Sequence, residues 1–189
     1  MDEAGRGSLA GPVVAAAVLV PDPWSAEFPR GIDDSKALDR QTRESLFTAL
    51  ATFAWGIGIA SAAEIDRLNI LRATMLAMRR AILALPMMPR MALVDGNRAP
   101  DDLGCDCRTV VDGDARCLSV AAASIVAKVT RDRIMDRLAA AHPDFGWERN
   151  RGYATPDHRR AICSRGPTPH HRRTFGTVRA VLAGHIRLI

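Results

Sequence analysis

The chain has 189 residues, 48% of them hydrophobic, and a net charge of +5. That length suits one folded domain with a sizeable core, and no apolar run is long enough to span a bilayer. Asp2 and Glu3 stand where the basic start of a secretory signal would lie, so a cytoplasmic protein is expected. The charge is unevenly placed: residues 142–189 hold nine arginines against three acids. This basic quarter is either a docking surface for phosphates or a solvated face. Only two of the 26 cationic residues are lysines, Lys36 and Lys128. In a chain that otherwise uses arginine, a lysine suggests a compact point charge in a tight place. Cys105 and Cys107 have no second pair that would complete a zinc pattern, so free thiols are expected.

In chain order, residues 2–4 read as a strand end and Gly5-Arg6-Gly7 as its turn. The unbroken apolar run 13–20 reads as a strand buried on both faces, ended by Pro21-Asp22-Pro23. Asp39 caps a helix with Leu46, Leu50 and Phe53 on one face. Trp55, Ile57 and Ile59 alternate with glycines, a strand with one flat face. Ser61-x-x-Glu64 is a capping box. A second helix after Asn69 carries Leu71, Met75, Met78, Ile82 and Leu85. Met91 to Val94 form a short buried strand that ends on Asp95, and Arg108 to Val111 another that leads to Asp114. The longest helix is expected over 119–141, its first half small on every side. Thr155-Pro156 starts a helix that Gly166 ends, and a last short helix runs over 175–182. Strands early, then alternating helices and strands, then helices imply an α/β domain with a helical end.

Four acids stand out by context. Asp95 follows a buried strand, Asp2 and Glu3 lie beside a strand end, and Asp114 follows a third strand. Carboxylates gathered on one sheet edge are hard oxygen ligands suited to Mg²⁺ or Mn²⁺ rather than zinc. Two such ions about 4 Å apart activate water and stabilise a leaving oxygen in phosphodiester cleavage. One geometric condition attaches to this reading. Neighbouring strand residues point to opposite faces, so Asp2 and Glu3 both reach one metal only if the strand ends or bulges there.

The run Asp2-Glu3-Ala4-Gly5-Arg6-Gly7-x-x-Ala10-Gly11-Pro12-Val13-Val14 resembles the opening signature of ribonuclease HII. Other segments do so in the same order: Asp34-Ser35-Lys36, Glu64-Ile65-Asp66-x-x-Asn69-Ile70-Leu71, Val94-Asp95-Gly96-Asn97, Gly113-Asp114, Ala121 through Asp132, Gly152-Tyr153, and His171-Arg172-Arg173-Thr174-Phe175. The resemblance spans nearly the whole chain. It implies an α/β ribonuclease H-like fold, a mixed central sheet flanked by helices with a small helical C-terminal extension. The corresponding organisation is a catalytic domain over 1–141 with a basic helical segment over 142–189. Asp2, Glu3, Asp95 and Asp114 would be catalytic and hold Mg²⁺ or Mn²⁺. Gly5, Arg6, Gly7 and Tyr153, the only tyrosine, would meet the 2′-hydroxyl of a ribonucleotide within a duplex. Ser35, Lys36 and Lys128 would lie near substrate phosphates.

The implied activity is an endoribonuclease that hydrolyses the RNA strand of RNA–DNA hybrids. It would also nick duplex DNA 5′ of embedded ribonucleotides, leaving 3′-hydroxyl and 5′-phosphate ends. Its partners would be those duplexes, with no membrane, and a monomer is expected. His170 and His171 could assist proton transfer, with phosphate contact or surface the favoured reading. The family pattern departs at Asn150-Arg151-Gly152-Tyr153-Ala154 and at the start, where Met1 stands directly against Asp2. That start leaves the first strand short and its acids at a frayed terminus. The alternative is therefore a protein that binds RNA–DNA duplexes but is inactive because its first strand is truncated.

Overall fold

The computed structural model describes residues 1–20 and 28–186, so Pro21-Asp22-Pro23 and Arg187 lie outside the described residues. The described elements are β1 (Asp2–Ala4), β2 (Val13–Val18), α1 (Arg40–Leu50), β3 (Trp55–Ala60), α2 (Ala62–Leu68), α3 (Ile70–Leu83), β4 (Met91–Asp95) and β5 (Asp106–Val110). They continue with α4 (Gly113–Arg116), α5 (Leu118–Ala141), a 3₁₀ turn over Pro143–Phe145, α6 (Trp147–Asn150), α7 (Pro156–Arg165) and α8 (Gly176–Leu182). The chain divides into two compact units. One comprises Met1–Ala4, Val14–Ile59 and Thr74–Thr130; the other comprises Gly5–Val13, Ala60–Ala73 and Arg131–Ile189. The boundary falls inside α5, and residues 142–189 belong to the second unit together with the Gly5–Val13 and Ala60–Ala73 segments.

In the first unit, β1 pairs antiparallel with β2, Asp2 opposite Ala16, and β2 is followed in the sheet by β3. β4 and β5 form a parallel pair with Asp95 opposite Val110. Met1 joins the two ladders: its N–H donates to Leu93 O at 2.7 Å and its carbonyl accepts from Asp95 N–H at 3.1 Å. This is the bonding pattern of a parallel pair, and the sheet is mixed. Met1 is buried, so β1 is as short as the sequence implies but pinned rather than frayed.

All six residues of β2 are buried, as a continuous apolar run requires. On one face of the sheet Trp55 and Ile57 join a core with Ala16, Val18, Leu46 and Leu50. The small half of α5, with Ala122, Ala123 and Val126, completes that core. The alternate residues of β3 are Gly56 and Gly58, and they explain the flat face. A Cβ at Gly58 would lie 1.9 Å from the Ala77 carbonyl oxygen, and one at Gly56 2.2 Å from that of Ala81. The backbone of α3 therefore rests directly on the strand, and helices cover both faces.

Local signals set the helix ends. Asp39 accepts from Thr42 N–H, Ser61 and Glu64 form the reciprocal capping box, and Thr155 caps α7 with Pro156 in its first turn. In the second unit, Leu9, Ala10, Met135, Phe145, Trp147, Ile162 and Val178 form a separate core. No described helix is long and apolar enough to cross a membrane.

A methyl at Gly58 has nowhere to go without lifting α3 off the strand. Gly58→Ala should cost about 1–3 kcal/mol, read as a lower urea midpoint at unchanged m-value.

Candidate active site

Strand ends place the acids in the first unit. Asp2 lies in β1, Asp95 closes β4, and Asp114 sits in the single turn of α4. The sequence reading missed α4. Asp112 adopts a left-handed φ of 53° just before it, and Gly113 N–H then donates to Asp95 Oδ1 at 2.8 Å. That bond ties the β4 end to the turn that carries Asp114. Asp2 is 5% exposed and Asp114 8%.

Burial pushes the Asp2 carboxyl up to about 8; the Glu3 charge and then Asp95 add to the rise, against the bond from Glu3 N–H. Glu3 lies opposite Ala15 in the β1–β2 register, and β1 ends one residue later, at Ala4. Among the described residues no three His, Cys, Asp or Glu side chains converge to enclose a metal. The acids are neighbours by charge, not a closed ligand cage.

Lys36 is already engaged here. Its Nζ lies 3.0 Å from Asp114 Oδ2, and that bond, with the carboxylates of Asp114, Asp34 and Asp2, raises its pKa. The Lys36 loop is held from behind: Ser35 is buried, its N–H bonds Ser124 Oγ, and its carbonyl accepts from Arg43 at 2.7 Å. Lys128 is half-buried on α5.

The second unit holds Gly5-Arg6-Gly7 and Tyr153. Arg6 and Gly7 are exposed, Gly5 is buried with φ of 95°, and Tyr153 is 41% exposed. Two arginines that the sequence reading did not single out hold this turn. Arg172 donates to the carbonyls of Gly5, Arg6 and Gly11 at 2.6, 2.7 and 3.1 Å. Arg131 donates to the carbonyls of Pro12 and Ala10 and to Ser8 Oγ. Both are fully buried. Burial and then the charge of Arg131 bring Arg172 down to about 9.

Arg131 is also a wedge. A Cβ at Gly5 would lie 1.9 Å from its Nε, and its Cζ stands 5.6 Å from the centre of the Tyr153 ring. Gly152, with φ of 80°, brings its carbonyl to the N–H groups of Leu9 and Ala10, so the turn and the tyrosine are bonded together. Asp66 accepts from Arg173 N–H, Thr174 N–H and Thr174 Oγ1, which fixes the segment that carries Arg172. The signal for these residues lay inside the quoted motifs, but arginine is so seldom buried that its type gave no warning.

One expectation is corrected: His171 is buried against His158, not a surface or phosphate contact. Within the basic quarter Arg172 is buried, Arg151 bonds Asp136 and the Asp132 carbonyl, and Arg149, Arg160 and Arg165 pair with Glu148, Asp157 and Asp144. Asp132, adjacent to Arg131 in sequence, thus belongs to the Arg151 contact in the second unit.

The family model described as Ribonuclease HII matches residues 1–178. The chain belongs to the ribonuclease HII family. A ribonuclease HII from Granulibacter bethesdensis is 60% identical over 187 residues, which cover 97% of this chain and 85% of that protein. The ribonuclease H2 structure from Pyrococcus horikoshii is similar with a TM-score of 0.78 and 29% identity, over 97% of this chain and 95% of that one. The ribonuclease HII of a PCNA complex from Archaeoglobus fulgidus gives 0.77 and 30%, over 94% of each. This family member is therefore a ribonuclease H, an endoribonuclease of RNA–DNA hybrids with the ribonuclease H-like fold.

Burial, with the neighbouring charges of Glu3 and Asp95, raises the Asp2 carboxyl, and carboxylate oxygens gathered in this way suit a hard divalent ion. The residues present thus fit the metal that the family reading implies. The same crowding fixes a pH dependence. The folded-state pKa of Asp2, about 8, lies above its ordinary 3.8, so the folded state holds an extra proton between those values. Stability without metal then falls as pH rises from about 4 to about 8. Asp2→Asn should melt at least about 2–4 °C above the parent near pH 9, a gain that disappears near pH 4; metal-free thermal melts at both pH values check it.

Proposed function

We propose that this chain, besides cutting RNA–DNA hybrids, nicks duplex DNA on the 5′ side of an embedded ribonucleotide and leaves 3′-hydroxyl and 5′-phosphate ends. The observation that carries the reading is geometric: Asp2 in β1, Asp95 at the end of β4 and Asp114 on α4 lie in one unit, with Gly113 N–H bonded to Asp95 and Lys36 to Asp114. Asp2, Glu3, Asp95 and Asp114 would hold Mg²⁺ or Mn²⁺. When bound, such ions supply an activated water and offset charge on the leaving oxygen. Because water rather than the 2′-hydroxyl attacks, the 2′-hydroxyl serves recognition alone.

Recognition falls to the second unit. The exposed Arg6–Gly7 backbone and the Tyr153 hydroxyl meet the 2′-hydroxyl, the group that separates RNA from DNA at one position. The tyrosine ring packs on the next sugar and favours deoxyribose there. Lys36 and Lys128 place compact charges at substrate phosphates, and the anchored Ser35 sets the loop from which Lys36 reaches. The exposed arginines Arg159, Arg173 and Arg179 add contacts to the duplex backbone that carry no sequence information. The protein acts as a cytoplasmic monomer on RNA–DNA hybrids and ribonucleotide-containing DNA.

A duplex with one ribonucleotide tests this directly. With Mg²⁺ or Mn²⁺ the strand should be cut 5′ of the ribonucleotide, and a 2′,3′-cyclic phosphate among the products would exclude the mechanism. Asp95→Asn should lower kcat by about a hundredfold or more, the size of several kcal/mol of lost charge stabilisation. Binding without any cutting would instead identify an inactive duplex-binding protein.

Loss of the Tyr153 hydroxyl is a narrower test. Tyr153→Phe should lower kcat/KM on the single-ribonucleotide duplex about tenfold relative to a uniform RNA–DNA hybrid, one hydrogen bond's worth.

A further inference from the structure

Behind Tyr153 lies a pair of buried histidines that the proposed chemistry does not use. His158 and His171 are 0% and 1% exposed, and their Nε2 atoms stand 3.1 Å apart. Their tautomers follow from their neighbours. Thr168 N–H can only donate, and it points at His171 Nδ1 from 2.9 Å, so that nitrogen is bare and His171 carries its proton on Nε2. Trp147 Nε1–H can only donate, and it meets His158 Nε2 at 3.0 Å, so that nitrogen is bare as well. His158 therefore carries its proton on Nδ1, which faces the Tyr153 carbonyl at 2.8 Å.

The bonds form one directed chain. Thr168 holds His171, His171 and Trp147 together donate to His158, and His158 donates to the backbone of Tyr153. Thr155 N–H is the second donor on the same carbonyl, at 2.8 Å. Phe145 and Trp147 wall the pair with ring centres 4.9 and 5.2 Å from that of His171. Burial keeps both imidazoles neutral, with His171 pulled down to about 3. The residue after His171 is Arg172, whose guanidinium grips the Gly5 and Arg6 carbonyls. One buried pair thus reaches the tyrosine through His158 and the glycine turn through its chain neighbour.

We infer that His158 aims Tyr153 and is a positioning residue for ribonucleotide selectivity, with the Nδ1–H as its working atom. The inference rests on the role proposed for Tyr153. The bare Nε2 that serves Trp147 and His171 fixes the proton on Nδ1, and there it is directed at the Tyr153 carbonyl, with the Gly152 backbone beside it.

Two variants separate the ends. An asparagine amide nitrogen reaches the place of Nδ1, and a glutamine amide oxygen the place of Nε2. His158→Asn should keep the ratio of kcat/KM on the single-ribonucleotide duplex to that on a uniform hybrid within about twofold. It should nevertheless melt lower, since Trp147 and His171 lose their acceptor. His158→Gln should melt higher than the asparagine variant and yet lose about tenfold in the ratio, as Tyr153→Phe does. A parental ratio for His158→Gln beside an impaired Tyr153→Phe overturns the inference alone, as does an equal fall in the ratio for both His158 variants. An unimpaired Tyr153→Phe overturns the role of Tyr153 and this inference with it. Nitrogen-15 spectra of the unaltered protein at neutral pH give an independent reading: His158 protonated on Nδ1 and His171 on Nε2 is expected, and His158 protonated on Nε2 overturns the proposal whether or not either variant folds.

Discussion

Two guanidinium groups buried beneath a glycine turn set the terms for the second unit. Arg131 and Arg172 direct their donors at backbone carbonyls, not at carboxylates, and the carbonyls they need belong to Gly5, Arg6, Ala10, Gly11 and Pro12. Two cations without an ion-pair partner in contact are costly to bury, and several hydrogen bonds to each must compensate. The turn has little freedom left: its carbonyls face inward to the arginines, which leaves the exposed Arg6–Gly7 backbone facing solvent. One nitrogen, Arg131 Nη1, remains unsatisfied, a residual cost in an otherwise saturated network.

The first unit solves the opposite problem. There burial, and then neighbouring negative charge, keeps the proton on Asp2, and Lys36 leans on Asp114. The two units thus store unlike kinds of electrostatic tension. The acids are relieved by cations and suit chemistry on phosphates, whereas the arginines are relieved internally and suit a rigid template. The buried charges of the two units differ in sign, although Ala4 alone separates Glu3 from Gly5 along the chain.

Legibility in the sequence followed the range of the interaction. The Asp39 and Thr155 caps, the Ser61 box and the alternating glycines of β3 are local, and each could be read from a few adjacent residues. Asp2, Asp95 and Asp114 were legible because strand ends expose the next side chain at a sheet edge. Arg131 and Arg172 were not, since their partners lie 119 to 167 residues away and an arginine looks the same on a surface or in a core. His171 was misread for a related cause: whether a histidine is buried, and which donor faces each nitrogen, is a property of the folded neighbourhood alone. The one-turn α4 was too short for any periodicity, and only the left-handed Asp112 marks it.

The seam at Met1 has a consequence for how this protein can fail. Backbone bonds through that residue link the β1–β2–β3 ladder to the β4–β5 pair, and β1 itself has three residues. Opening of this seam alone would be a local event, distinct from global unfolding. Such an opening would part Asp2 and Glu3 from Asp95 and Asp114 and leave the core around α1 and α5 in place. Separation of these acids and loss of fold would then be distinct events, and helical signal would report only the second.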